Sequence, residues 1–454
     1  MTAARTAPPT TPLATAERVL ELVRERARDA DAEVTVLRGT EALTRFANSF
    51  IHQNVAEELS HVYVHVALDG RTASSALDGP AADDGLRRLV DGVLDAARVR
   101  PVDPDWPGLT GLVPVLAVDH WDDETAEAPP DARARLVADF VRAAGGLETA
   151  GSCLTNARVV GFANSAGQQA TGRTTVASID GIARTATSDG SGRATAGRIS
   201  ALDGRAAGEA AARKARDAAN PTDLEPGRYE VILEPFCVAN LLQFLFIHGF
   251  NGRTVEEGRS FVRLGEAQFD PAISLRDDAG NPGQVGIGFD VEGTPKRAVD
   301  VVRGGTTTGV LHTRRTAAKA GTESTGHALE GAEQWGALAS NVVLEPGNGS
   351  RDDLIAGTGR GLLVTDFWYT RILDPRTQVV TGLTRNGVWL VEDGRIVRPV
   401  SNLRFTQSFL EALGPGAVRA VGSDPSLILG GFDGAYLVPS LHLGSWNFTG
   451  GARG

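Results

Sequence analysis

The chain has 454 residues and a mass of 47.6 kDa, with 42% hydrophobic and 22% charged residues, enough for two or three domains with their own cores. Its net charge of −11 and pI of about 5.3 exclude the overall basic footprint of a nucleic-acid-binding protein. Two cysteines, Cys153 and Cys237, give no disulfide framework and fit a reducing cytoplasm, the expected location.

Residues 1–13 are an Ala/Thr/Pro-rich tail, expected to be disordered and carrying no secretory h-region. No apolar stretch reaches bilayer-spanning length, so no membrane partner is expected. Residues 14–220 are expected to form an N-terminal domain of a sheet with helices. Thr15 is placed to cap a helix running to about Ala30, with Ala16, Val19, Leu20, Val23 and Ala27 as its buried stripe. Glu33–Leu37 is strand-like. Val62, Val64, Val66 and Leu68 alternate with His61, Tyr63 and His65 in a half-buried strand. Asp69-Gly70 is a hairpin turn. Leu86, Leu89, Val90, Val93, Leu94 and Ala97 keep helical spacing. A Pro/Asp/Gly-rich connector spans Pro101–Gly111, and a further helix spans about Ala132–Ala144. The tetrapeptide Phe-Ala-Asn-Ser occurs at Phe46–Ser49 and again at Phe162–Ser165. Either the domain is an internal duplication of a helix–strands–helix unit, or the match is coincidence in an Ala-rich chain. Strands near Thr174–Arg184 and Arg193–Asp203 and an Ala-rich helix from Gly204 to Ala219 complete the domain.

Asn220-Pro221-Thr222-Asp223 is the expected boundary, and residues 221–454 read as a mostly β domain with one buried helix. The overall class is therefore α+β. Strand-like segments are Ala298–Val302, Gly309–Thr313, Ser340–Leu344, Gly361–Thr365, Gly387–Val391 and Leu437–Leu443, with turns at Asn348-Gly349, Asp393-Gly394 and Asp433-Gly434. Ser350–Gly357 and Ser408–Leu413 read as short helices. The buried helix lies in residues 231–252. A short strand ends at Leu233, and Pro235 opens the helix. Val238, Leu241, Leu242, Leu245 and Phe246 share a face, Phe244 and Ile247 cover much of the rest, and Gly249 and Gly252 are stop signals.

This helix resembles the one that carries the zinc site in the TldD/TldE (PmbA) peptidase family. In the metal-binding TldD subunit it reads His-Glu-x-x-x-His. Laid over this chain, the first ligand falls on Gln243, the catalytic Glu on Phe244 and the second ligand on His248. Other blocks resemble the family in the same order. They are Arg45-Phe46-Ala47-Asn48 with His52-Gln53-Asn54, Gly288-Phe289-Asp290 with Glu292-Gly293-Thr294-Pro295, Thr325-Gly326-His327, Ser340–Gly347 and Thr381–Gly387. The resemblance implies a TldE-type subunit lacking the zinc motif. Its partner would be a zinc-bearing TldD-type subunit, with which it encloses a cleft for unfolded peptides or precursors of peptide natural products.

Zinc hydrolysis needs three protein ligands, an open position and a base. An amide at Gln243 donates weakly, Phe244 takes no proton, and Ala420–Pro439, where the family's cysteine ligand would fall, contains no Cys. No metal or other cofactor is therefore expected in this chain, and zinc is expected in the partner. His61 and His65, four apart on a strand, stand about 13 Å apart at Cα, too far to share an ion comfortably. Asp290 and Glu292, two apart on an expected strand, read as a structural pair tied to an Arg or to backbone N–H groups. Arg314, Arg315 and Lys319 read as a solvated or interface cluster. Candidate substrate or interface residues are Arg45, Asn48, Gln53, Thr381, Gly382, Arg385 and Asn386, the last four beside a strand at Val388–Val391. The alternatives are an independent hydrolase of a peptide or amide bond, and a homodimeric peptide-binding scaffold without turnover.

Overall fold

The computed structural model describes residues 11–432 and 434–452; most of the expected tail, and the Asp433 half of one expected turn, lie outside them. The tail ends earlier than expected, because Pro12 and Leu13 already belong to helix α1, Pro12–Arg26. Thr11, not Thr15, caps it by accepting the Ala14 N–H at 3.2 Å, and Pro12 fills the first helical position, where its missing N–H costs nothing. The helix stops at Arg26 because strand β1, Asp31–Ala47, starts soon after.

The N-terminal sheet holds β1, β2 (Phe50–Leu68), β3 (Arg71–Asp78), β4 (Glu148–Asn164), β5 (Gln169–Arg184) and β6 (Asp189–Ala196), in the order β3-β2-β1-β4-β5-β6. Helix α2, Asp83–Val99, follows β3. Helix α3, Pro130–Ala143, precedes β4, and α4, Gly204–Asp217, follows β6. Each half is thus a helix, a three-strand meander and a helix, joined at the antiparallel β1–β4 pair. The register obeys the same symmetry. Phe46 pairs with Gly151, its counterpart Phe162 pairs with Thr35, and the two partners are displaced along the chain by the same amount. The repeated tetrapeptide therefore marks equivalent strand ends, which supports duplication over coincidence.

All four helices cover one face of the sheet. Val34, Val36, Val62, Val64 and Val66 pack under α1 and α2, while Phe46, Cys153, Ile179 and Ala183 pack under α3 and α4. On the other face Leu37, Val160 and Phe162 meet Ile287 and Phe289 of the C-terminal domain.

In that domain β7 (Gly227–Leu233), β12 (Arg360–Asp374), β13 (Val379–Glu392), β15 (Leu403–Ser408) and β19 (Leu441–Gly451) pair in a closed ring, with β14 (Arg395–Pro399) and β16 (Val418–Val421) at its sides. Trp446, Phe405 and Leu362 are buried in its core. A second sheet takes β8 (Leu275–Asp277), β9 (Val299–Arg303), β10 (Thr306–Thr307), β11 (Asn341–Leu344), β17 (Ser426–Leu429) and β18 (Ala435–Val438). The expected strand Leu437–Leu443 is broken at Pro439-Ser440, and its halves enter different sheets. Gly309–Thr313 holds only a single bridge, at Leu311. Helix α5, Pro235–His248, leaves the ring at the end of β7.

Helices α3 and α4 touch backbone to backbone. A Cβ on Gly208 would sit 2.3 Å from the Phe140 carbonyl oxygen, and one on Gly204 would sit 2.2 Å from that of Leu136. Neither backbone can move without separating the pair. Gly208→Val is therefore expected to lower stability by about 3 kcal/mol in denaturant unfolding, and a loss under about 1 kcal/mol would show that the helices separate freely.

Candidate functional site

Helix α5 is buried on three sides, contrary to the expectation that it is enclosed on nearly every side. Phe236, Asn240, Gln243, Phe244, Ile247 and His248 are half-buried and follow one helical face. The three ligand and base positions of the resemblance lie on this face. The Phe244 ring packs 6.2 Å from the His248 ring and 5.8 Å from Phe409. Burial and the charge of Arg259 push the His248 imidazole below its ordinary pKa, so it is neutral. Above Gln243 lies Gly431, where a Cβ would come 2.7 Å from the Gln243 amide nitrogen.

The walls of this face are aromatic. Trp335 and Phe432, both about half exposed, meet at a tilt of 51° with ring centroids 5.5 Å apart. At the other end of α5 the Asn240 amide donates to Thr370 Oγ1 at 3.2 Å, bringing in the far end of the β12–β13 hairpin. There Trp368 and Tyr369 are exposed, and the Arg385 guanidinium lies 4.5 Å over the Trp368 ring. Arg385 makes no ion pair among the described residues. Sequence reading missed Asn240, Trp335, Trp368 and Phe432. Trp335 and Phe432 adjoin glycines, while Asn240 lies within α5 and Trp368 within β12, so no local signal marked the four as a group.

Thr381, Gly382 and Asn386 are placed otherwise than expected. Thr381 and Gly382 lie inside β13, paired with β15, and β12 lies on the strand's other side. Their backbone is committed to the sheet and offers no hydrogen bonds to an added strand. Gly382 is small because a Cβ would meet the Phe405 ring at 2.6 Å. Asn386, at φ 57°, is buried and donates to Asp366 at 2.6 Å. Asp366 also accepts from Ser191 and Arg193 of the N-terminal domain, and Arg193 covers the Phe236 ring at 4.1 Å. Of this segment only the Arg385 side chain remains available. Arg45 and Gln53 face each other across the β1–β2 hairpin. Asn48 and Ser49 hold φ of 51° and 64° in its turn, which explains Asn48 by backbone conformation.

Between the open face of the N-terminal sheet and the C-terminal domain lies a cavity of about 880 Å³. Leu37, Leu59, Val160, Phe289, Phe432 and Gly434 line it. Asp290 and Glu292 stand beside it, on a tight turn and not on a strand. Asp290 accepts the N–H groups of Glu292, Thr294 and Ala328. Burial and the Glu292 carboxylate push Asp290 up to about 8, yet its oxygens are committed to the backbone. Glu292 accepts the Arg314 N–H at 2.9 Å. The pair is structural, as expected. Arg314 is not a surface residue: it is buried against Glu33, with Arg315 on Asp103 and Lys319 on Asp105 and Glu256.

His61 and His65 both hold the C-terminal domain. His61 bridges Asp78 at 2.6 Å and Glu330 at 2.8 Å. His65 lies 3.1 Å from Glu33 and 3.5 Å from Glu333. Burial lowers the His65 pKa, but the hydrogen bonds and charges of Glu33 and Glu333 outweigh it and leave it at about 9. With an ordinary value near 6.5 in the unfolded chain, its contribution is full below about pH 6.5 and lost as pH rises through about 9. That contribution is on the order of 3 kcal/mol. Melting temperature is expected to fall between pH 6.5 and 9, less steeply in His65→Gln; equal slopes would remove His65 from this role.

A closed β ring, its metal-helix counterpart and a duplicated N-terminal sheet define the scaffold of a TldD/PmbA-type metallopeptidase. Residues 226–450 match the PmbA/TldA metallopeptidase C-terminal domain. The chain belongs to the TldD/TldE (PmbA) family. It is 27% identical over 235 residues to a metalloprotease of Methanothermobacter thermautotrophicus, covering 50% of this chain and 49% of that one. It is 23% identical over 230 residues to a metalloprotease of Synechocystis, covering 48% and 47%. The matched region thus spans about half the length of these relatives. The fold superposes on TldE from Thermococcus kodakarensis with a TM-score of 0.86 at 18% identity, over 96% of this chain and 100% of that one.

The residues on the α5 face do not fit the zinc that the family implies. One imidazole, a weak amide donor and a phenyl ring occupy the motif, and the described residues contain no group of three His, Cys, Asp or Glu suited to a metal. Cys237 points away, its thiol 3.7 Å from the Val364 carbonyl and its pKa pushed up by burial. Elemental analysis of the purified chain is expected to find no stoichiometric zinc. About one zinc per chain, lost in His248→Ala, would overturn this.

Proposed function

We propose that this chain is the zinc-lacking, TldE-type subunit of a two-subunit metallopeptidase that processes unfolded peptides or precursors of peptide natural products. The observation that carries the reading is the α5 face. It keeps the accessible position and aromatic walls of a substrate site, while Gln243 and Phe244 stand where a ligand and a base belong. A TldD-type partner supplies zinc and base. This chain supplies a wall of the cleft, with Trp368 and Arg385 directed at an extended peptide. A hydrolase acting alone would need a free acid–base pair, and Asp290 and Glu292 are tied to backbone N–H groups and Arg314.

The test is co-expression with homologues that carry His-Glu-x-x-x-His, followed by size exclusion, metal analysis and peptide cleavage. A stable complex with zinc in the partner, active when neither chain alone is active, is expected. Chelator-insensitive turnover by the pure chain would sink the reading. In the complex, Arg385→Ala is expected to slow cleavage of dilute peptide about five- to tenfold, the weight of a cation held on an aromatic face. Its partner should keep its zinc. Unchanged cleavage of every peptide would remove Arg385 from the cleft.

A further inference from the structure

Strand β2 carries a free edge. β3 covers it only from His61 to Leu68. The Ser60 carbonyl accepts the Gly79 N–H at 2.8 Å, at the point where cover ends. By strand alternation the N–H and C=O groups of Asn54, Ala56 and Glu58 point the same way, outward from β1. Among the described residues no backbone group pairs with them. A long uncovered edge is a template for another strand.

The internal duplication shows how the equivalent slot is filled. On β5 the strand β6 covers Ala177–Arg184 and leaves the stretch before it open. There the connector comes in: Thr174 bridges to His120, the Thr175 N–H donates to the His120 carbonyl at 2.9 Å, and the Asp122 N–H donates to Thr175 Oγ1 at 3.0 Å. The first half has the same slot, and among the described residues nothing fills it.

We propose that the edge of β2 between Phe50 and Leu59 takes up an extended, basic peptide segment as an added strand. The charge of the slot selects the ligand. Glu57 stands directly across from Glu41, an unfavourable like-charge pair, and Glu58 is next to it. A lysine or arginine on the added strand relieves that repulsion. Phe50 and Ile51, 58% and 38% exposed, offer apolar contact at the hairpin end. A second copy of the chain is a poor occupant. In an antiparallel register that pairs the whole slot, the copy's β3 runs into the Asn48–Phe50 turn. The inner end of the slot opens onto the interdomain cavity, which Leu59, Ser60, His61, Asp78 and Gly79 line. A peptide held there leads into that cavity. The proposal rests on the reading of the chain as a peptide-handling subunit and names its ligand class.

The experiment is fluorescence anisotropy on the full chain without any partner. The probes are labelled peptides of about eight residues, one alternating Lys and Val, one alternating Glu and Val, and a Lys/Val peptide N-methylated at alternate residues. Saturable binding of the Lys/Val peptide is expected, with at least about tenfold weaker binding of the other two. Ala56→Pro removes an outward N–H while leaving the β1 side of the ladder intact, and is expected to weaken binding about tenfold. Glu57→Gln is expected to weaken it several-fold and flatten its salt dependence. Equal binding of the Lys/Val and Glu/Val peptides, or full binding by a folded Ala56→Pro protein, would overturn the proposal. So would absence of saturable binding. If Ala56→Pro does not fold, the N-methylated peptide decides. Failure here leaves the two-subunit reading standing, because that is judged by co-purification and metal-dependent cleavage.

Discussion

One buried guanidinium holds the two domains in their relation. Arg314 sits between Glu33 of the N-terminal sheet and Glu292 of the C-terminal domain, with donor distances of 2.6 and 2.7 Å to the two Glu33 oxygens. The three side chains are only 10%, 5% and 15% exposed for Arg314, Glu33 and Glu292. Carboxylates this deep are tolerable only with a cation in place, so removing Arg314 would strand two charges at once. The same cluster reaches His65, which shares Glu33 and draws in Glu333. Val291, the neighbour of Glu292 in the chain, lines the cavity between the sheet and the C-terminal domain.

A second clamp works at the other end. Asp366 gathers Arg193 and Ser191 from the N-terminal domain and Asn386 from its own. The clamp places Arg193 over Phe236 at the start of α5, so the helix face that corresponds to a metal site is built partly by the other domain. Gln243, Phe244 and His248 are half-buried on that face, with Gly431 against the Gln243 amide.

The N-terminal sheet is two copies of one unit with different edges. The outer edge of β5 is closed by the connector, and that of β2 is open. Matching strand register with unequal cover locates the asymmetry in the linking chain, not in the pairing of the repeated units. It also explains why Asn48 keeps a left-handed turn at the tip of a long hairpin, where only backbone conformation is at stake.

Periodicity and turn chemistry determined much of this from sequence alone. Helix α2, the Asp69-Gly70 turn and helix α5 opening at Pro235 follow from residue spacing and from the fixed φ of proline. The repeated Phe-Ala-Asn-Ser signalled the duplication. The unsuitability of Gln243 and Phe244 for zinc chemistry is likewise a property of the side chains themselves. Tertiary structure decided what local pattern cannot encode. Thr381 and Gly382 read as a substrate or interface segment beside a strand at Val388–Val391 but lie mid-sheet, because strand neighbours come from distant sequence. Arg314 and His65 read as surface or polar-face groups but are buried, because their carboxylate partners lie far along the chain or in the other domain. Leu437–Leu443 read as one strand, but its halves belong to Ala435–Val438 and Leu441–Gly451, which enter two sheets. In each case the deciding term is pairing across long sequence separations, which no window of local propensity contains.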